Sequence, residues 1–184
     1  MKTILYMGIS INGYIAKADD NTDWTSKEDW DGFYKHSKVA RNIILGKRTF
    51  DLAVSDGTFP FPDCLNVVMT HQKVDNKWGK RVVFTDKSPR EILEMLQESG
   101  FKEVFVAGGG HINSSFMKDG LIDEIYVDVE PIVFGKGIQL FAPEDFEYKL
   151  KLLSVKNLNK NTVQLHYKRS LRARALKVLK EDKL

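Results

Sequence analysis

The segment Glu103–His111, E-V-F-V-A-G-G-G-H, constrains this chain more than any other. A short apolar strand runs into three consecutive glycines and then into a helical pattern. Glycine reaches backbone angles that a Cβ forbids, and three in a row leave no side chains between the backbone and whatever lies above it. The N–H groups that open the next helix face that space and favour an anion. Strand, glycine turn and helix in that order suit an α/β architecture with a cradle for a phosphate-bearing ligand.

The rest of the pattern agrees. Strand candidates are Thr3–Ile9, Asn42–Leu45, Leu65–Met69, Arg81–Phe84, Glu103–Ala107, Glu124–Glu130, Lys149–Val155 and Thr162–Lys168, all rich in Val, Ile, Leu, Tyr and Phe. Several early ones (NIIL, NVVM, VFVA) are apolar on both faces, as parallel strands covered by helices are. The last two alternate polar with apolar and suit an antiparallel pair at a sheet edge, joined by a turn over Asn157–Asn161. Helices are expected over Ser26–Ser37, where Ser26 with Asp29 suggests a capping box, and over Ser88–Ser99, with Ser88 as N-cap, Pro89 following and Glu91 closing the box. A third opens at Gly109 or Gly110 and stops near Gly120. Alternating strands and helices predict an α/β domain over residues 1–169 with a mostly parallel sheet. Residues 170–184 form a basic tail with a helical pattern, read as a solvated or partner-packed terminal helix.

Composition narrows the function classes. Of 184 residues, 28 are Lys or Arg and 25 Asp or Glu; a net charge of +3 is too small a bias to argue for nucleic acid. A single cysteine, Cys64, rules out an internal disulfide framework and fits a reducing, cytoplasmic setting. The N-terminal apolar run is broken by Gly8, Asn12 and Gly13 and reads as a strand, not a signal peptide. No run approaches the ~20 residues of a membrane span. No metal-ligand spacing is found among His36, His71, His111, His166 and Cys64.

Several motifs suit anions. Gly46-Lys47-Arg48-Thr49 follows a strand and resembles the end of a phosphate loop. The full motif fails, because Arg41 stands at the earlier glycine and Arg48 at the hydroxyl position. A glycine, two cations and a hydroxyl remain; either Thr49 and backbone N–H groups meet a phosphate with Lys47 or Arg48, or the basic side chains face water. Thr70-His71-Gln72-Lys73 follows another strand, at the edge where open α/β sheets bind ligands. Gly108-x-Gly110 with Asp128 ~20 residues on imitates a dinucleotide fingerprint, but Asp128 falls inside a strand and not at its end. Asp29 and Phe33 share a helix face, and a carboxylate beside an aromatic in a pocket gains a raised pKa; otherwise the acid serves the helix N-terminus.

The order S-I-N-G-Y-I-A (10–16), Trp24 with Asp29 and Phe33, N-I-I-L-G-K-R-T-F, N-V-V-M-T, V-F-V-A-G-G-G and L-I-D-E-I-Y-V-D-V-E-P-I-V-F-G-K-G-I-Q-L-F resembles the dihydrofolate reductase superfamily, and within it the reductase domain of bacterial riboflavin biosynthesis. The resemblance covers Lys2–Lys168. It implies a three-layer α/β/α fold: a mostly parallel central sheet of about eight strands, antiparallel C-terminal strands, and NADPH along the carboxyl edge. Carried over, Gly46, Lys47, Arg48 and Thr49 hold the pyrophosphate and 2′-phosphate side. Thr70 and His71 sit near the adenosine phosphate. Ala107, Gly108, Gly109, Gly110, His111 and Ile112 line the pyrophosphate, with a cis peptide at Gly108–Gly109. Ala16 flanks the nicotinamide. Asp29 is the proton-handling, catalytic candidate. Asn12, Trp24, Phe33, Asp128 and Glu130 are substrate-side candidates, the last two sharing one strand face and otherwise being solvated edge groups.

The chain departs from the pattern in places. Asn12 replaces an acid of the riboflavin-type reductases, Asp23 the proline before the tryptophan, and His111 an arginine. No arginine after Phe61-Pro62 matches the one that grips a folate tail. The implied activity is an NADPH-dependent reductase transferring hydride to a C=N or C=O carbon of a small heterocyclic or ribityl-type molecule, in a homodimer with no nucleic-acid or membrane partner. The rivals are true dihydrofolate reduction and a nucleotide-binding module without turnover.

Overall fold

A computed structural model of the chain describes residues 1–55 and 61–170. The basic segment 171–184, expected to be helical, and Phe59-Pro60 lie outside the described residues. The elements are β1 (Lys2–Ser10), β2 (Tyr14–Lys17), α1 (Lys27–Ala40), β3 (Asn42–Gly46), α2 (Lys47–Ser55), β4 (Leu65–Met69), a 3-10 turn (Gly79–Arg81), β5 (Val82–Thr85), α3 (Pro89–Glu98), β6 (Glu103–Val106), α4 (Gly110–Lys118), β7 (Glu124–Glu130), β8 (Gly137–Gln139), β9 (Leu150–Asn157) and β10 (Val163–Arg169).

The main sheet has eight strands in the order β5-β4-β3-β6-β1-β7-β10-β9. From β5 through β7 every neighbour is parallel, whereas β10 runs antiparallel to β7 and β9 antiparallel to β10. This is the three-layer architecture that the resemblance implies. The two-sided apolar strands divide their residues between two cores by the period-2 rule. Ile4, Tyr6, Ile43, Leu45, Val68 and Phe105 pack with Ala40 of α1 and Phe50 of α2 on one face. Leu5, Ile44, Val67, Val104 and Val106 pack with Ile92 and Leu96 of α3 and Phe116 of α4 on the other. The edge strand β9 leaves Leu150, Leu152, Leu153 and Val155 exposed. No helix among the described residues is long and apolar enough to cross a membrane.

Two short strands were not legible in the sequence. β2 overlaps the S-I-N-G-Y-I-A segment that follows β1, and it pairs with β8 to form a separate two-stranded sheet. Four and three residues carry too little pattern for a strand assignment; the pairing depends on a partner more than a hundred positions away. The Ser88 capping box forms as expected: Ser88 Oγ accepts from the Glu91 N–H, and Glu91 reaches back to the Ser88 N–H at 2.8 Å.

At α1 the expected box forms only in half. Ser26 Oγ accepts from the Asp29 N–H at 3.2 Å, but the Asp29 carboxyl turns inward instead of closing on Ser26. Glu130, at the end of β7, supplies the other half. Its Oε1 accepts from the Ser26 N–H (2.9 Å) and Oγ (2.6 Å), while its Oε2 accepts from Thr162 Oγ1 (2.9 Å). Glu130 is 2% exposed, so it is not a solvated edge group. It fastens the start of α1 to β7 and to the entry of β10. Glu130→Ala would strand donors at half-buried Ser26 and buried Thr162. We expect a loss of about 3 kcal/mol, read as a lower urea midpoint with unchanged slope.

Candidate functional site

Because β4, β3, β6 and β1 are parallel neighbours, the turns that follow them share one edge of the sheet. The cofactor-side candidates all lie there. Thr70 and His71 follow β4, Gly46 ends β3 with Lys47, Arg48 and Thr49 opening α2, and Ala107–Gly109 lead from β6 into α4. The Gly46 N–H donates to Gly108 O at 2.8 Å, and the Ala107 N–H to Ile44 O at 2.9 Å. A Cβ on Gly109 would lie 3.7 Å from Thr49 Oγ1 and 3.8 Å from Ile15 Cδ1. A Cβ on Gly46 would come within 3.3 Å of Ile112. The α2 turn, the glycine turn and β2, which carries Ala16, therefore converge. The Gly108–Gly109 peptide is cis, as the resemblance implies, and Gly108 has φ +85°.

The donor set suits an anion. α4 is capped by Gly109, which has no side chain to satisfy the first N–H groups. Neither α2 nor α4 carries an acid in its first turn, whereas α1 and α3 do. Lys47 pairs with Asp51 one turn along α2, and Arg48 Nε and Nη2 bind Asp20 Oδ2 at 3.0 and 2.6 Å. Each pair joins an exposed partner to a half-buried one at the protein surface, where ion pairs are worth little, so a phosphate competes for either cation at modest cost. His71 and His111 are exposed along the same edge. These residues are fit to hold a phosphorylated dinucleotide.

The substrate-side candidates divide into three groups. Asn12 is occupied locally: its Nδ2 donates to Phe134 O (2.9 Å) and its Oδ1 accepts from Ser10 Oγ (2.9 Å). Trp24 stands edge-on to Phe134 at 5.4 Å, and Tyr14 stacks on the same ring at 5.5 Å, forming an aromatic wall beside β2 and β8. Phe33 sits deeper, in an aromatic cluster with Tyr6, Phe61 and Phe105.

Asp29 and Asp128 form the third group. Both are buried, at 5% and 0% exposure. Asp128 Oδ2 accepts from Tyr6 Oη at 2.6 Å and its Oδ1 from Gln164 Nε2 at 2.8 Å. Burial, then the neighbouring charge of Asp128 and a hydrogen bond to it, then the charge of Glu130, push the Asp29 carboxyl up to about 8. Burial also raises Asp128, against the opposing bonds from Tyr6, Gln164 and Asp29. Burial raises the Tyr6 phenol, with Asp128 adding to it. An acid that keeps its proton near neutrality is equipped to donate it. Tyr6 and Gln164 were not singled out from the sequence. Their signal is the register: Gly8 and Gln164 both face Asp128, and Tyr6 faces Tyr126 one step below. Among the described residues, no group of three or more His, Cys, Asp or Glu is placed to hold a metal ion.

Residues 1–164 match the family model of the RibD C-terminal domain. The uncharacterized protein YwjB of Bacillus subtilis is 33% identical over 173 residues, covering 92% of this chain and 98% of that protein. Two solved structures share the fold. A pyrimidine reductase-like protein of Corynebacterium diphtheriae superposes with a TM-score of 0.69 at 15% identity, over 92% of each chain. The diaminohydroxyphosphoribosylaminopyrimidine deaminase/5-amino-6-(5-phosphoribosylamino)uracil reductase of Thermotoga maritima gives a TM-score of 0.73 at 16% identity, over 92% of this chain and 56% of that one.

Two outcomes follow from the acid site. Between the unfolded value of 3.8 and the folded value of about 8, the folded protein holds a proton at Asp29 that the unfolded chain has lost. Stability therefore falls as pH rises through that window, and Asp29→Asn should flatten the fall in denaturation midpoints measured from pH 5 to 8. A Cβ at Gly8 would sit 2.9 Å from Asp29 Oδ2, so Gly8→Ala must displace the carboxyl. Its cost, about 1–3 kcal/mol, should shrink in the Gly8→Ala, Asp29→Ala double variant.

Proposed function

The chain belongs to the RibD C-terminal domain family, and from that premise we propose that it is an NADPH-dependent reductase. It would deliver hydride to the carbon of a C=N or C=O group in a small heterocyclic or ribityl-type substrate, as a 5-amino-6-(5-phosphoribosylamino)uracil reductase does. The observation that carries the reading is the juxtaposition of two features. The sheet's carboxyl edge gathers Gly46, Thr49 and the Gly108–Gly110 turn, and a carboxyl held up to about 8 lies beside β1 of the same sheet.

NADPH, when bound, supplies the hydride. The chain binds, orients and protonates. The glycine turn and the first N–H groups of α4 receive the pyrophosphate without side-chain obstruction. Thr49, with Lys47 or Arg48 released from its surface pair, meets the 2′-phosphate side. The Tyr14–Phe134–Trp24 wall offers an apolar aromatic surface to a heterocycle. Asp29 gives its proton to the substrate nitrogen or oxygen as the adjoining carbon accepts hydride, so that two electrons and two hydrogens are added in all.

Titration of the protein with NADPH and NADH, followed by nicotinamide fluorescence, tests the cofactor. NADPH should bind at least about tenfold tighter, a difference of ~1.4 kcal/mol, and Arg48→Ala with Lys47→Ala should narrow the gap. With an accepted substrate from a carbonyl and pteridine panel, Asp29→Asn should cut turnover by about 10²–10⁴ and leave NADPH affinity within about twofold. Binding of neither nucleotide would overturn the reductase reading. Tight binding with no turnover across the panel would favour the non-catalytic module.

A further inference from the structure

The acid at this site is not one residue. Gly8 and Asp128 are register partners in adjacent parallel strands. The Asp29 carboxyl lies directly over Gly8, where a Cβ would be 2.9 Å from Oδ2 and 3.0 Å from Oδ1. Gly32 serves the same approach from α1, since a Cβ there would collide with the Tyr6 hydroxyl. Two carboxyls are thereby brought side by side, Asp128 fully buried and Asp29 keeping 5% of its surface exposed.

The hydrogen bonds around them are unequal. Asp128 takes a donor at each oxygen, Tyr6 Oη at 2.6 Å and Gln164 Nε2 at 2.8 Å. Gln164 Nε2 also donates to Tyr6 Oη at 3.2 Å, and the phenol's nearest acceptor is Asp128 Oδ2 at 2.6 Å, against 3.4 Å to the Asp29 carbonyl oxygen. Asp29 Oδ1 is buried, and no amide, amine or hydroxyl of the described residues reaches it. Asp128, the register partner of the Gly8 that the Asp29 carboxyl covers, is the neighbour whose charge and hydrogen bonding act on that carboxyl. Two ionised carboxylates cannot bond to each other; one proton between them turns repulsion into a hydrogen bond.

We propose that Asp29 and Asp128 are a one-proton acid pair, in which Tyr6 and Gln164 hold Asp128 as the ionised acceptor and so keep the shared proton on Asp29. The inference rests on the reductase reading only for the proton's destination. In transfer the Asp29 O–H bond breaks and an N–H or O–H bond forms on the substrate. The pair is left with two negative charges and regains a proton from solvent. Asp29 is the catalytic residue of the pair; Tyr6, Asp128 and Gln164 are positioning residues. The other groups facing the pair are Glu130 on β7, whose charge favours keeping the proton, and His36 on α1, which packs against Tyr6 at 5.3 Å and whose own pKa is lowered by burial.

The test is a carboxyl-carbon NMR titration of the free protein labelled at aspartate, in wild type, Asp29→Asn, Asp128→Asn, Tyr6→Phe and Gln164→Leu. No cofactor or substrate is needed. In wild type, one carboxyl of the two should hold its proton well above the ordinary aspartate range while the other stays ionised. Asp128→Asn should lower the proton affinity of Asp29 by about tenfold or more. Asp29→Asn should leave Asp128 titrating as a single carboxyl, with a lower proton affinity than the shared proton of the wild type, because the second carboxylate charge is gone. Tyr6→Phe and Gln164→Leu each take a donor from the ionised acceptor and should move the shared proton's affinity up, opposite in sign to Asp128→Asn. If Asp128→Asn does not fold, the Tyr6→Phe and Gln164→Leu shifts decide. Two carboxyls titrating independently in the ordinary range, or Tyr6→Phe and Gln164→Leu leaving the titration unmoved, would overturn the pair. With a substrate in hand, the high-pH limb of the hydride-transfer rate should move in the same order. The NMR shifts without any NADPH oxidation would keep the pair and sink the reductase reading; turnover without the shifts would do the reverse.

Discussion

Parallel pairing of β3, β6, β1 and β7 is the constraint on which the remaining features hang. A parallel sheet sends every strand's carboxyl end to one side and demands a crossover after each. The turns after β3 and β6 are therefore neighbours although some sixty residues separate them, and the Gly46 N–H bonds to Gly108 O across that gap. The same pairing sets Gly8 opposite Asp128, which decides where a carboxyl from α1 can come to rest.

α1 is an unusual helix for this position. Its buried residues include Asp29 alongside Ser37 and Ala40, so it brings a carboxyl into a place where a core helix brings an apolar side chain. Burial of an unpaired charge would be costly, and the surroundings offset it in two ways. Glu130 anchors the helix start through Ser26 and so fixes where Asp29 falls. Tyr6 and Gln164 stabilise the charge on Asp128, and the raised pKa of Asp29 keeps that group neutral near physiological pH. Tyr6, Gln164, Asp128 and Glu130, from β1, β10 and β7, thus surround the Asp29 carboxyl. Such support is how a fold sets a group's protonation state without a metal or an external charge.

Local sequence carried much of this protein. The strand–glycine–helix segment at 103–111, the Ser88 box and the two-sided apolar strands each express a short-range rule: backbone freedom, cap chemistry, side-chain period. Resemblance gave the turn after β3 and Asp29 the roles that their residues alone had left open. The short strands β2 and β8 escaped because neither has enough residues to show a period. The half-formed box at Ser26 escaped because Glu130, the residue that completes it, is 104 positions away.

What the sequence determined by itself is the alternation of elements, the apolar division between two helical layers, and the glycine turn, since all of these depend on neighbours within one or two turns of chain. What only the tertiary structure decided is the state of the acids. Asp128 and Glu130 read the same along β7, alternate positions on one face. Yet Glu130 became a helix anchor and Asp128 a buried acceptor, because different partners from β1, β10 and the α1 cap meet each of them. A carboxylate's pKa depends on desolvation and on charges within a few ångströms, and those distances come into being only when the strands pair in register.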